Sequence, residues 1–231
     1  MCSASFLILA SLAVAEPQVV VETDFGRPGK SFESLVAAKG VRITGRLAEG
    51  WSDNTSWKSN VVADYGQGNE GGRRFLRVEQ TSGDGLQFMH RLTGMEKVHG
   101  YYRLTLTARS LTGLTLGVRD IGAPYRTLSS FRPATDGQWR DFSYDFRLAP
   151  HPQEVALVVY LAGNGRLDLE KLKLIRLSEE DLIAEIKAKH PTAGSGNLVN
   201  ASVFPLGLQS GWSIDRDCSD GDQVQVDSDP K

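Results

Sequence analysis

Apolar and polar side chains alternate along most of residues 18–177. Leu104, Leu106 and Ala108 are interleaved with Arg103, Thr105, Thr107 and Arg109, and Leu114, Leu116 and Val118 with Thr115, Gly117 and Arg119. The same period of two runs through Phe142, Tyr144 and Phe146, then Val155, Leu157, Val159 and Leu161, then Leu167 and Leu169. Successive side chains of a strand point to opposite faces, so this pattern predicts strands with one buried and one wetter side. Gly83-Asp84-Gly85, His99-Gly100, Thr112-Gly113, Asp136-Gly137 and Gly163-Asn164-Gly165 supply turns between the runs. Many short strands at this spacing predict an all-β sandwich of antiparallel sheets.

The rhythm changes at residue 178. Ser178 is placed to cap a helix, Glu179, Glu180 and Asp181 suit its first turn, and Leu182, Ile183 and Ile186 form an apolar stripe ending before Pro191. Residues 178–196 thus read as a connector helix followed by the linker Thr192-Ala193-Gly194-Ser195-Gly196. Beyond it, Asn197–Phe204 and then Gly211-Trp212 echo Val19–Phe25 and then Gly50-Trp51. The Phe-to-Trp separation is longer in the first copy, which implies an insertion over residues 27–45. Residues 197–231 are too few to close a sandwich and read as the start of a second, similar module, the alternative being a tail packed back on the first.

The first fifteen residues hold the apolar run Phe6–Ala10 and Leu12–Val14, too short to cross a bilayer, ending in the small-x-small sequence Ala13-Val14-Ala15. This is read as a signal peptide (1–15), which places the protein outside the cytoplasm, secreted or periplasmic and without a membrane anchor after cleavage. A buried first strand is the alternative. Cleavage would remove Cys2 and leave Cys218 alone, so the framework is not built on disulfides. A formal net charge of −2 over 231 residues gives no general attraction for phosphate backbones and excludes a nucleic-acid partner.

No pattern of catalytic chemistry emerges. Among the acids only Asp141 and Asp145, on the wet side of an otherwise apolar strand, are candidates for the raised carboxyl pKa of glycosidase work, the alternative being a solvated strand face. His90, His99, His151 and His190 are not spaced as zinc ligands, and His90 shares parity with Leu86, Phe88 and Leu92, which reads as a buried, hydrogen-bonded histidine. Nucleophile-elbow, phosphate-loop and dinucleotide fingerprints are missing.

Gly72–Val78, Leu86-Gln87-Phe88, Gly100–Leu106, Trp139–Phe142 and Gly165–Glu170 follow the opening strand and Gly50-Trp51 in an order that resembles the jelly-roll carbohydrate-binding modules of the family 4, 9 and 22 type, within the galactose-binding-like superfamily. The resemblance covers residues 18–177. It implies a jelly-roll sandwich that binds polysaccharide or oligosaccharide without catalysis, requires no cofactor, and belongs to a longer secreted glycoside hydrolase with covalently linked downstream domains. It also implies structural, core roles for Trp51 and Trp139. Such modules often carry a structural calcium, for which Glu22 and Asp24 in the first strand and Asp168 and Glu170 in the last are the available acids. A spacer or protein-interaction sandwich without glycan affinity is the rival reading.

A sugar ring presents an apolar face and a rim of hydroxyls, so its site needs aromatic platforms beside amides or guanidinium groups. Trp57 lies in the polar stretch Trp51–Trp57, Tyr65 in Asp64-Tyr65-Gly66-Gln67-Gly68, and Tyr125 in Ala123-Pro124-Tyr125-Arg126, all predicted loops. Parity puts Gln87 opposite Phe88 and Arg119 opposite Val118, making these two the candidate polar clamp. Arg91, Arg103, Arg109 and Arg119 share the wet parity, and their convergence would favour an acidic polysaccharide.

Overall fold

The computed structural model describes residues 18–94, 100–149, 153–178 and, beyond these, Asp181, Ala184, Glu185 and Ala188. The alternating runs are strands: β1 (Gln18–Asp24), β2 (Lys30–Val36), β3 (Val41–Leu47), β4 (Trp51–Asp53), β5 (Val62–Glu70), β6 (Arg73–Ser82), β7 (Leu86–Leu92), β8 (Gly100–Ser110), β9 (Gly113–Asp120), β10 (Thr127–Phe131), β11 (Arg140–Leu148), β12 (Val155–Ala162) and β13 (Gly165–Leu177). They form an eight-stranded sheet in the order β11-β8-β13-β6-β5-β3-β2, with β1 also paired to β13, and a five-stranded sheet in the order β10-β9-β12-β7-β4. Pairing is antiparallel except for β3 with β5. This is the predicted jelly-roll sandwich. The segments expected to be a signal peptide and a second module fall outside the described residues, as does most of the segment expected to be a connector helix. At its start, Ser178 Oγ accepts the Asp181 amide at 3.0 Å.

Inward side chains of the two sheets make one core. Phe88, Leu116, Val118, Leu157, Val159 and Leu161 from the smaller sheet face Leu76, Val78, Leu104, Leu106, Leu167 and Leu169 from the larger. Burial at about 25 cal/mol per Å² of apolar surface is the main force holding the sheets together. In β13 the parity flips: Leu167 and Leu169 point inward, then Leu172 and Leu174 do. The register against β8 shifts between Leu169 and Lys171, a bulge that absorbs Glu170. The first half of β13 pairs with β6, and the second half pairs with β1, Gln18 lying opposite Arg176. The region expected as an insertion is the hairpin β2–β3, added to the edge of the larger sheet.

Trp51 is buried beside Phe25, Phe88 and His90, and its Nε1 donates to Thr23 Oγ1 at 3.0 Å. Trp139 departs from its expected core position. It is half-buried on the outer face of the larger sheet, edge-on to Phe75 and held between the guanidinium groups of Arg73 and Arg109 at 4.7 and 4.9 Å. Phe75 points outward with it, lying over Gly68, where a Cβ would fall 2.1 Å from the ring. The tryptophan covers a second, smaller apolar cluster outside the sandwich.

His90 is half-buried, its Nδ1 is 2.9 Å from the Arg91 carbonyl, and burial holds its pKa below the ordinary imidazole value. The folded protein therefore binds fewer protons at this site than the unfolded chain. Its stability is complete above about pH 6.5 and falls as the pH drops from there through the lowered pKa. Melting temperatures across pH 5–7 should show this slope, and His90→Phe, which keeps the ring against Trp51, should flatten it.

Candidate functional site

The outward side of the five-stranded sheet is set by register. Gln87, Tyr160 and Thr115 lie opposite one another on β7, β12 and β9, and so do Arg91, Ala156 and Arg119 four residues along, with Met89, Val158 and Gly117 between. Arg119 starts beside Ala156 and reaches Gln87 beside Tyr160, its Nη1 donating to Gln87 Oε1 at 3.3 Å. Its side chain thus runs diagonally across β12 over Val158. Val158 and Ala156 are correspondingly buried although they lie outside the core cluster.

Two loops border this face. The loop after β4 carries Trp57, 52% exposed, whose Nε1 donates to the Asn54 carbonyl at 2.8 Å. The loop between β9 and β10 carries Tyr125, 54% exposed, whose ring lies 5.3 Å from the Arg119 guanidinium carbon. That loop is fastened by Asp120, fully buried, which takes an ion pair from Arg126 at 2.9 Å. Lys58 Nζ sits over the rings of Trp57 and Tyr160 at 4.7 and 5.8 Å and pairs with Asp84 at 3.1 Å. The Tyr160 hydroxyl donates to the Asp84 carbonyl at 3.3 Å. A line of rings and polar groups results: Trp57, Lys58, Tyr160, Gln87, Arg119, Tyr125. Gln87 is 4% exposed, and its Nε2 has no hydrogen-bond partner among the described residues. A buried amide donor left in that condition is costly, by about 1–3 kcal/mol, unless something accepts its protons.

Four of the five predicted sugar contacts are brought together: Trp57, Gln87, Arg119 and Tyr125. Tyr65 is not. It lies within β5 instead of a loop and is 1% exposed, edge-on to Phe32 and Phe88, its hydroxyl donating to Asp53 Oδ1 at 3.2 Å. Its glycine neighbours suit close packing in a sheet here, which removes it from the candidate site. Lys58 and Tyr160 went unrecognised in the sequence. The signal for Tyr160 was available, since it is the aromatic residue on the wet parity between Val159 and Leu161.

Asp53 supports the Trp57 loop. Its carboxylate accepts from the Thr55 amide at 3.1 Å, from Thr55 Oγ1 at 2.8 Å and from Tyr65. Thr55 Oγ1 shares its single proton between Asp53 and the Gln87 carbonyl, 2.9 Å away, and accepts from the Gln87 amide at 3.0 Å. Burial raises the Asp53 pKa, opposed by the hydrogen bonds from Thr55 and Tyr65. Burial, reinforced by the Asp53 charge, pushes the Tyr65 phenol well above its ordinary value.

The four acids expected around calcium do not fit that ion. Asp168 is fully buried and taken by Arg77 at 2.9 and 3.1 Å, Arg109 at 2.7 Å and Arg166 at 3.5 Å. Glu22 pairs with Lys173, Asp24 with Arg27 and Glu170 with Arg73. Among the described residues no three metal-ligating side chains come together. The wet-parity arginines do not converge either. Arg91 and Arg119 lie on the smaller sheet, with Arg91 paired to Glu154, while Arg103 is paired to Asp145 and Glu185 and Arg109 to Asp168 and Glu70 on the larger. The clamp for an acidic polysaccharide is therefore not assembled. Asp141 and Asp145 are engaged by Thr107 and Arg103.

No protein-family model matches the sequence, and neither does any curated protein. Solved structures similar to this chain include the CBM22-1 xylan-binding domain from Paenibacillus barcinonensis, at 12% identity and a TM-score of 0.44, covering 72% of this chain and 99% of that one. The CBM22-1 and GH10 modules of a Clostridium thermocellum endo-1,4-beta-D-xylanase, solved with xylohexaose, align at 10% identity and a TM-score of 0.45, over 69% of this chain and 29% of that one. The enzymatically active domain of tailspike protein 4 from bacteriophage CBA120 aligns at 10% identity and 0.44, over 56% of this chain and a fifth (20%) of that one.

Proposed function

We propose that this chain is a non-catalytic carbohydrate-binding sandwich that holds a polysaccharide across the outer face of its five-stranded sheet. The observation that carries the reading is the pair of half-exposed rings, Trp57 and Tyr125, at the two ends of one line of polar groups on the outer face. Rings of this kind take the C–H faces of sugars, while Arg119 and Lys58 offer donors to hydroxyls between them and the buried Gln87 orients Arg119 from beneath. The platforms are set in advance by bonds from the Trp57 indole and by the Arg119–Tyr125 stack, so little ordering remains to be done on binding. We place this module in a secreted protein, linked to a glycoside hydrolase that it would keep near its substrate.

Affinity electrophoresis of the full chain against a panel of soluble polysaccharides, with pull-down on insoluble ones, tests this. Trp57→Ala and Tyr125→Ala should each weaken binding at least about tenfold, or 1.4 kcal/mol, with melting temperature nearly unchanged because both rings are exposed. Absence of retention on the whole panel by folded protein would refute the reading and leave the spacer role.

A further inference from the structure

A second cavity opens where the two sheets end on the same side. β2 is an edge of the larger sheet and β4 an edge of the smaller, and between them lies a cleft of about 290 Å³. Phe32 and Trp51 supply aromatic walls, and Asp53 lines it as well. Trp51 is held rigidly by its bond to Thr23 and by three ring neighbours, and Phe32 by the edge-on contact with Tyr65.

The polar lining keeps groups available to a ligand. Ser34, Ser52 and Ser56 line the cleft, and their hydroxyls make no hydrogen bond among the described residues. Lys30 and Glu49, also at the cleft, form no ion pair there and balance each other in charge. The Asp53 carboxylate uses three acceptor positions, on Thr55 and Tyr65, out of the roughly four that such a group offers.

We infer that this cleft is a second ligand site, for a small neutral polyhydroxyl compound such as a monosaccharide or disaccharide. Each part of the lining answers to that chemistry. Hydroxyls of the ligand find serines that both donate and accept, and one more finds the remaining acceptor position of Asp53, while its C–H surface lies against Phe32 and Trp51. An anionic ligand would meet two carboxylates, Glu49 and Asp53, against the single ammonium of Lys30, which favours a neutral compound over an acidic one. The volume lies at the lower end of ligand cavities, about 300 Å³, which accommodates one or two sugar rings. The outer face of the smaller sheet, by contrast, is an open track. The cleft borders that track through Asp53 and Ser56, which belong to the chain leading to Trp57, so the two sites are told apart by variants confined to one or the other.

The test is an NMR titration of the full chain with a panel of neutral monosaccharides and disaccharides, run in parallel on the native protein and on the Trp57→Ala/Tyr125→Ala double variant. Saccharide binding is expected with affinities within about twofold in both, and a loss of at least about tenfold in Ser34→Phe, which fills the cleft from β2. Ser56→Phe fills it from the opposite wall and serves if Ser34→Phe does not fold; melting curves decide that. Absence of any saccharide-induced shift in the native protein would overturn the inference. So would binding that disappears in the double variant while surviving Ser34→Phe or Ser56→Phe, since the small sugar would then be occupying the outer face.

Discussion

Replacing Asp168 with alanine is expected to destabilise the protein by about 3–5 kcal/mol, the range for removing one partner of a buried ion pair. Asp168 sits directly opposite Arg77 on one neighbouring strand and Arg109 on the other, and it is wholly shielded from water. Removing it leaves the guanidinium groups of Arg77, Arg109 and Arg166 around an empty position, with Arg109 retaining Glu70. The loss also reaches the stack of Arg109 on Trp139 and thereby the cover over Phe75. For a domain of this size the melting temperature should drop by roughly 6–20 °C. Asp168→Asn, which preserves shape and one acceptor oxygen, should lose less. Thermal melts of both variants at neutral pH check this, and equal, small losses would mean that the arginines simply rotate into solvent.

The second large effect is expected for Asp53→Ala, at about 2–3 kcal/mol and with a loss of polysaccharide binding. The buried Tyr65 hydroxyl and the Thr55 amide would lose their acceptor, each worth about 1–3 kcal/mol when left unsatisfied, partly offset by relief of a desolvated carboxylate. Tyr65→Phe removes the donor together with its need and should cost about 1 kcal/mol. Binding separates the two variants. Asp53→Ala frees Thr55, which pins both the Trp57 loop and the Gln87 backbone, whereas Tyr65→Phe leaves those bonds in place. Denaturant melts alongside polysaccharide retention measure both, and unchanged retention by Asp53→Ala would show that the loop is held by other contacts.

Parity made much of this legible in advance. Alternation alone put Gln87 and Arg119 on the wet side of their strands, because a period of two leaves a side chain no other direction to take. What it did not convey was pairing across strands. Asp168 looked like a free acid beside Glu170, and only the register of β13 between β6 and β8 shows it trapped between arginines. The glycines around Tyr65 resemble a loop when read locally. In the sheet, Gly68 is small because Phe75 lies on it, a demand that comes from a distant residue. Trp139 was misplaced for the same reason, since its partners Arg73 and Arg109 come from two other strands. The residues that line the outer face were half visible: exposed rings in loops declare themselves and Tyr160 shows in its wet parity, while Lys58 acquires meaning only when β12 and the Trp57 loop meet.

The pairing of β1 with the far half of β13 has a mechanical consequence. Gln18 and Arg176 are partners at one extremity of that ladder, so whatever precedes the sandwich and whatever follows it leave side by side. Tension between the flanks therefore bears on one pair of backbone bonds at a time, as in a zipper, instead of shearing the whole row together. A sandwich tethered this way yields first by peeling β1, while the strands that present Trp57 and Tyr125 lie in the other sheet, away from the line of force.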